Sequence, residues 1–342
     1  MPTNTAAWLT AEKATPLEVK PAEYTSPNAN EILVKNHAVA LNLVDWARQT
    51  MGNAILAWTE YPCILGNDVA GEVVETGPGV TNFKVGDNVL GMASAWQSNR
   101  AAEGAFQMYT ILHTNLASTI PSTVSFEDAA VIPLAVATAA CGLYEKEYLG
   151  LTYPAASKPR ATGETILIWG GASSVGTNAI QLAVASGYEV ISTSSPKNWD
   201  YLKKLGASKV FDYHSSTVVE DIVKAFSGKK SAGALAIGLN TAGPCAEIIA
   251  QVRGKQFVAS ANAPPAQLPD GVGCKFVFPG ELKSSGVGEA VFARFLPAGL
   301  KNGSFVPSPP SRVIGEGLGA VQNGLEELKK GVSAEKLVIK LD

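Results

Sequence analysis

The chain has 342 residues, 46% of them hydrophobic and 17% charged, which is enough to bury a sizeable core and too apolar for a disordered chain. Lysine and arginine total 27 against 30 aspartate and glutamate, a formal net charge of -3, so there is no electrostatic case for nucleic acid or for an anionic membrane surface. The 33 glycines and 20 prolines show no Gly-X-Y period, and the four cysteines (Cys63, Cys141, Cys245, Cys274) form no CxxC pair, which argues against collagen, a disulfide framework and a structural zinc lobe.

The opening MPTNTAAWLTAEKATPLEVK lacks a basic region followed by an apolar run, so the expectation is no signal peptide and a cytoplasmic protein. The first third reads as short strands and turns: EILVKNHAVAL (Glu31 to Leu41), DVAGEVVETG (Asp68 to Gly77) and FKVGDNVLG (Phe83 to Gly91). Strands so spaced predict a barrel-like β domain. AAVIPLAVATAACGLY (Ala129 to Tyr144) holds Pro133 and falls short of the ~20 residues of a membrane span, so it is expected as a buried helix.

From Glu164 the rhythm changes. ETILIWGG is a strand entering a glycine-rich turn, Ser174 to Gly187 a helix, EVISTS (Glu189 to Ser194) a strand and Lys197 to Ala207 a helix. KVFDY (Lys209 to Tyr213) is a strand, Thr217 to Gly228 a helix, and ALAIGLN (Ala234 to Asn240) a strand. A helix from about Pro244 and a strand KQFVAS (Lys255 to Ser260) follow. This alternation predicts an α/β fold with a parallel doubly wound sheet. From about Leu296 the chain reads as a loop, an amphipathic helix and a closing strand KLVIKL (Lys336 to Leu341), so a first domain completed by the C-terminus is expected.

The turn Gly170-Gly171-Ala172-Ser173-Ser174-Val175-Gly176 resembles G-x-G-x-x-G, with Ser173 at the middle glycine, and stands between strand and helix. The tight turn, the close backbone approach and the helix N-terminus suit a pyrophosphate. An NAD site would carry an acid about 20 residues on, at the end of the next strand. Here Ser194-Ser195-Pro196-Lys197-Asn198 offers hydroxyls and an ammonium, which suit the 2′-phosphate of NADPH.

The segments Ala40–Gln49, Tyr61–Gly91, Pro133–Tyr144, the glycine turn, STSSPKN, KVFDY and SAEKLVIKL together resemble the medium-chain dehydrogenase/reductase superfamily, in its zinc-free quinone-oxidoreductase and enoyl-reductase branches. The ordering and the SPKN segment look most like fungal-type trans-acting enoyl reductases. The resemblance implies a GroES-like β-barrel catalytic domain over 1–127 and 298–342 and a Rossmann NADPH-binding domain over 128–297. It places Ser173, Ser174, Val175 and Gly176 on the phosphate turn, and Ser195, Lys197 and Asn198 on the 2′-phosphate segment. Tyr213 falls beside the adenosine phosphate, Thr138 near the nicotinamide carboxamide, and Asp45 on the cofactor side of the active site or as a structural cap. A homodimer joined at Rossmann-sheet edges and a monomer are both expected of such relatives.

The ligand positions of the zinc members of that superfamily correspond here to Asn42, Asn67 and about Leu134. Amide and alkyl groups do not make a zinc site, so no metal is expected. Hydride transfer without a Lewis acid needs an acceptor already polarised, such as a carbon–carbon double bond conjugated to a carbonyl, or a quinone. Some related enoyl reductases carry a lysine at the position of Ala47. Here Arg48 offers positive charge, Tyr61 offers a hydroxyl, and Thr138 is the third catalytic candidate. The expected activity is therefore an NADPH-dependent enoyl reductase, with an NADPH:quinone oxidoreductase or a non-catalytic NADPH-binding protein as alternatives. The stretches Met51 to Thr59 and Ala93 to Arg100, with Trp58 and Trp96, are expected to wall the substrate site.

Overall fold

The computed structural model of the chain describes residues 3–341. It forms two compact units, Met1–Leu134 with Pro310–Asp342, and Ala135–Pro309. In chain order the strands are β1 (Asn4–Leu9), β2 (Glu18–Ala22), β3 (Glu31–Ala40), β4 (Cys63–Ile64), β5 (Asp68–Thr76), β6 (Asn88–Met92), β7 (Tyr109–His113) and β8 (Ala117–Thr119). The second unit adds β9 (Glu164–Trp169), β10 (Glu189–Thr193), β11 (Lys209–Phe211), β12 (Lys230–Ala236), β13 (Phe257–Ser260) and β14 (Gly273–Phe276). The returning C-terminus contributes β15 (Ser311–Glu316) and β16 (Lys336–Lys340) to the first unit.

In the first unit β3 is the organising strand. It pairs antiparallel with β5 along one edge, and with β7 and β16 on successive halves of the other. The sheet order is β15-β16-β3-β5-β6-β8, and a smaller sheet β2-β1-β4 completes the unit. β3 is buried almost throughout because both its edges are paired, and Ile32, Val34 and Val39 pack into one core with Leu337 and Ile339 of β16. Each apolar side chain so buried contributes roughly 1.5–3 kcal/mol. The C-terminal strand therefore belongs to this core. The short strands β1, β2, β4, β7, β8, β14 and β15 were not legible in the sequence. The burial of β15 does not alternate along its length, so it gives no period-2 signal.

The second unit is a six-stranded parallel sheet in the order β11-β10-β9-β12-β13-β14, the doubly wound order with its switch point between β9 and β12. The fourth strand lies earlier than the expected Ala234–Asn240, at Lys230–Ala236. Its small residues give little β signal, and a register shift falls between Ser231 and Ala234. There Gly233 has φ +99, and an added Cβ would stand 2.5 Å from Leu149. Positive φ at Gly238 and Asn240 then turns the chain out of the sheet. The apolar stretch around Pro133 is a buried core segment: a short helix Phe126–Ala129, a break, and a helix Pro133–Tyr144 whose first residue is the proline, where a missing N–H costs nothing.

Candidate functional site

The glycine turn is built by backbone contact. Gly170 takes φ +81, and an added Cβ on Gly171 would stand 2.1 Å from Ser192 Oγ. At Gly176 it would stand 2.3 Å from the Gly170 carbonyl. Only glycine lets strand β9 enter the helix Ser174–Ala185 this tightly. Ser173 caps that helix: its hydroxyl donates to the Gly170 carbonyl at 2.7 Å and accepts from the Gly176 N–H at 3.0 Å. The hydroxyl is thus spent locally, and what the turn offers an anion is backbone. The N–H groups of Ser174 and Val175, in the first helical turn, have no acceptor within the helix. The end of β10 is tied to the turn, because the Gly170 N–H donates to Thr193 Oγ1 and the Gly171 N–H to the Thr193 carbonyl.

Beyond β10 the structure brings Ser195 and Tyr213 together, their hydroxyls 3.2 Å apart, although 18 residues separate them. Tyr213 is 42% exposed and its ring lies 4.1 Å from that of His214. Lys197 is exposed in the short turn Pro196–Asn198 and Asn198 is half-buried. Asp200 points to solvent, 4.0 Å from Lys203. Thr138 is half-buried on the helix Pro133–Tyr144.

The first unit holds a cavity of about 230 Å³. Arg48, Tyr61, Cys63, Asn67, Trp96 and Asp45 line it, so two of the three expected catalytic residues meet there, and both expected walls contribute. Arg48 is buried. Its guanidinium donates to the carbonyls of Gly52, Ile55 and Thr59 and to Asn53 Oδ1, at 2.8 to 3.1 Å. These bonds wrap residues 52–59 around it. No carboxylate lies within ion-pair distance among the described residues, and its Nε is buried without a partner. The ring of Tyr61 lies 4.5 Å from the guanidinium carbon, and its hydroxyl is 3.3 Å from Asn53 Oδ1. Burial raises the Tyr61 phenol above its ordinary value while Arg48 pulls the other way. Burial likewise holds the Cys63 thiol at about 11.

Asp45 sits in the first turn of the helix Leu43–Met51. One carboxylate oxygen accepts from the Asn42 N–H at 2.9 Å, and the other from the Gly66 N–H at 3.1 Å and Asn67 Nδ2 at 2.8 Å. Burial lifts its carboxyl to about 7, with the bonds from Asn42 and Gly66 opposing. Both oxygens are thus used within the unit, and Asp45 braces the cavity as a cap.

Two of the three positions compared with zinc ligands, Asn42 and Leu134, meet at a buried ion pair that the sequence did not announce, while Asn67 donates to Asp45. Lys336 Nζ lies 2.6 Å from Asp68 Oδ2 and donates to Asn42 Oδ1 at 2.8 Å, with only 3% and 0% of the Lys336 and Asp68 side chains exposed. Asn42 Nδ2 donates to Asp68 Oδ2 and the Leu134 N–H to Asp68 Oδ1. The cation at the centre of this cluster is an ammonium from the last strand. The one sequence signal for it was a lysine just before three apolar residues of the closing strand.

A GroES-like β unit completed by the C-terminus, and a doubly wound sheet carrying a glycine turn, define a two-domain oxidoreductase of the nicotinamide-dependent kind. The family described as alcohol dehydrogenase GroES-like domain matches residues 28–123. The chain is 48% identical to the dehydrogenase pigH of Monascus ruber, over 100% of both chains. It is 38% identical to the trans-enoyl reductase himH of Aspergillus japonicus, over 99% of this chain and 97% of that one. Among solved structures, the CurK enoyl reductase matches with a TM-score of 0.77 at 20% identity, covering 99% of each chain. A quinone oxidoreductase of Pseudomonas syringae pv. Tomato DC3000 matches with a TM-score of 0.72 at 24% identity, covering 99% of this chain and 100% of that one. The chain belongs to the medium-chain dehydrogenase/reductase superfamily, with fungal dehydrogenases and trans-enoyl reductases among its relatives.

Proposed function

We propose that the protein reduces a carbon–carbon double bond conjugated to a carbonyl, with NADPH as the hydride source. The observation that carries the cofactor choice is the end of β10, where Ser195 and Tyr213 share a hydrogen bond beside Lys197, the next acid along the chain, Asp200, faces solvent, and Asp212, beside Tyr213, is engaged by His214. Hydroxyls and an ammonium favour a phosphate dianion, and a carboxylate that would select a ribose 2′-hydroxyl is missing from that strand end. The glycine turn fits the pyrophosphate, since a Cβ at Gly171 would strike Ser192 and one at Gly176 the Gly170 carbonyl, which would force open the tight approach of turn to helix N-terminus. Asn198 is assigned with Ser195 and Lys197 to the 2′-phosphate, and Thr138 to the carboxamide.

When bound, the cofactor would supply a hydride to the β-carbon of the acceptor, and a water proton would complete the α-carbon. The protein's own part is to hold the acceptor and to stabilise the enolate charge that develops on its carbonyl oxygen. Tyr61 keeps its proton through the neutral range and serves as the hydrogen-bond donor to that oxygen. Arg48 contributes an unpaired positive charge beneath the Tyr61 ring, in a low-dielectric wall where a fixed charge acts strongly. Its hydrogen bonds also fix the 52–59 loop, so the charge costs no reorganisation during the reaction. The activity of himH, named a trans-enoyl reductase, supports the alkene as the acceptor class. A planar quinone is the second reading, favoured by the aromatic side chains of Tyr61 and Trp96 in the cavity.

The test follows the absorbance of NADPH with 2-enoyl thioesters, α,β-unsaturated ketones and quinones, with product analysis. A saturated product is expected. Turnover of quinones alone would move the protein to the second reading. NADPH binding with no turnover by any acceptor would leave a cofactor-binding protein without this activity.

A further inference from the structure

Strand β11 ends at Phe211, and Asp212-Tyr213-His214 follow before the helix Val218–Ala225. The three side chains interlock. The His214 backbone N–H donates to Asp212 Oδ1 at 3.0 Å, and His214 Nδ1 lies 3.1 Å from the same oxygen. The backbone N–H first, and then the ring, hold the Asp212 carboxyl below its ordinary value, so it is a carboxylate through the neutral range. A carboxylate only accepts, so Nδ1 carries the proton of the neutral ring and Nε2 is the nitrogen that takes up a second one. The pair sets the imidazole 4.1 Å from the Tyr213 ring, the planes 36° apart. Tyr213 in turn meets the Ser195 hydroxyl at 3.2 Å. The ring that completes the end of β10 is thus flanked by an Asp–His pair. The other charged groups near it are placed differently: Lys197 is exposed, Asp200 lies 4.0 Å from Lys203, and Asp221 is engaged by Thr217 and Lys224. With the imidazole neutral, Asp212 sets a negative charge beside a site that is to take a phosphate dianion. With the imidazole protonated, that charge is cancelled.

We propose that His214 is a specificity-determining residue for the cofactor: its imidazolium offsets Asp212 beside the adenosine 2′-phosphate, so the preference for NADPH over NADH strengthens as the ring takes up a proton. The inference rests on the reading of this strand end as the 2′-phosphate site, and adds a dependence of that site on pH. An imidazole changes charge between about pH 5 and 8, so the effect falls in the physiological range. The His214 side chain is 65% exposed, and water and salt screen a charge so placed. The expected size is therefore modest, about threefold in selectivity.

The test measures Kd for NADPH and for NADH by titration calorimetry from about pH 6 to about pH 8.5, across the range in which an imidazole titrates. The proteins are the wild type, His214→Phe and His214→Gln. Phenylalanine keeps a ring against Tyr213 and removes the charge, whereas glutamine keeps a donor for Asp212 and removes both ring and charge. Selectivity is the ratio of the NADH Kd to the NADPH Kd. The 2′-phosphate itself takes up a proton at about pH 6, but it does so with all three proteins, so dividing wild-type selectivity by that of a variant removes its contribution. That quotient is expected to rise about threefold from the alkaline to the acid end of the range, with either variant, while NADH binding stays at its wild-type strength. A quotient that stays flat with pH, in a wild type that does prefer NADPH, would overturn the role of His214 and leave the 2′-phosphate site standing. Equal wild-type affinity for NADPH and NADH at every pH would remove the site itself, and the proposal with it.

Discussion

The cofactor cradle and the acceptor cavity are built by opposite means. The cradle is backbone: glycines at 170, 171 and 176, one serine cap, and the end of one strand, all within about one strand–helix–strand unit. The cavity is side chains drawn from Asp45, Arg48, Tyr61, Asn67 and Trp96, and its supporting ion pair reaches from Asp68 to Lys336. A local backbone device is readable as a motif, because its spacing is its function. A long-range polar device is not, because no spacing rule links its members.

That contrast predicts where damage is global and where it is local. The largest effect is expected from Lys336→Met, which leaves Asp68 buried beside no cation. Loss of one partner of a buried pair costs about 3–5 kcal/mol, so chemical denaturation should show a large drop in stability. A loss below 1 kcal/mol would mean that the cavity needs no internal ammonium. Next is Lys197→Ala, where losing a charge-assisted bond to a phosphate should weaken NADPH binding by about tenfold or more and leave NADH unchanged. Equal losses for both cofactors would remove Lys197 from the 2′-phosphate.

The Asp45 brace makes a prediction in pH. Its carboxyl stands at about 7 in the folded chain against an ordinary 3.8. Between those values the folded state holds a proton that the unfolded chain has released, so stability falls as pH rises from about 4 to about 7. The slope is at most about 1.4 kcal/mol per pH unit, with the full penalty present above 7 and none below 4. Wild type measured against Asp45→Asn should therefore lose ground across that window and run parallel to it at higher pH. Parallel curves throughout would show that the hydrogen bonds from Asn42, Gly66 and Asn67 keep the carboxylate ionised. The smallest effect is expected at the cap. Ser173→Ala removes one hydroxyl bridging Gly170 and Gly176 and should cost about 1 kcal/mol of stability, with a modest loss of affinity for either cofactor. A loss confined to NADPH would instead give that hydroxyl a part in cofactor choice.

The sequence by itself determined the alternation of strand and helix from Glu164 to Ser260, the glycine turn, and the return of the C-terminus as a strand. Each is a short-range pattern in which the residue types carry the conformation: glycine where a Cβ would strike backbone, β-branched runs where a strand is buried on both faces. Only the tertiary structure decided the rest. β12 is displaced by four residues from its expected start because packing against Leu149 and Phe257, not propensity, sets where Gly233 bends the chain. β15 forms because β16 offers it an edge. Arg48, read as a source of charge, is also the buried post around which residues 52–59 are wound. Lys336 lies 268 residues from Asp68, and it enters the cluster because β16 pairs with β3 through Val338–Lys340 and Lys336 sits just before that register. Burial makes such a charge insist on a partner, and which partner it finds depends on which strands lie side by side.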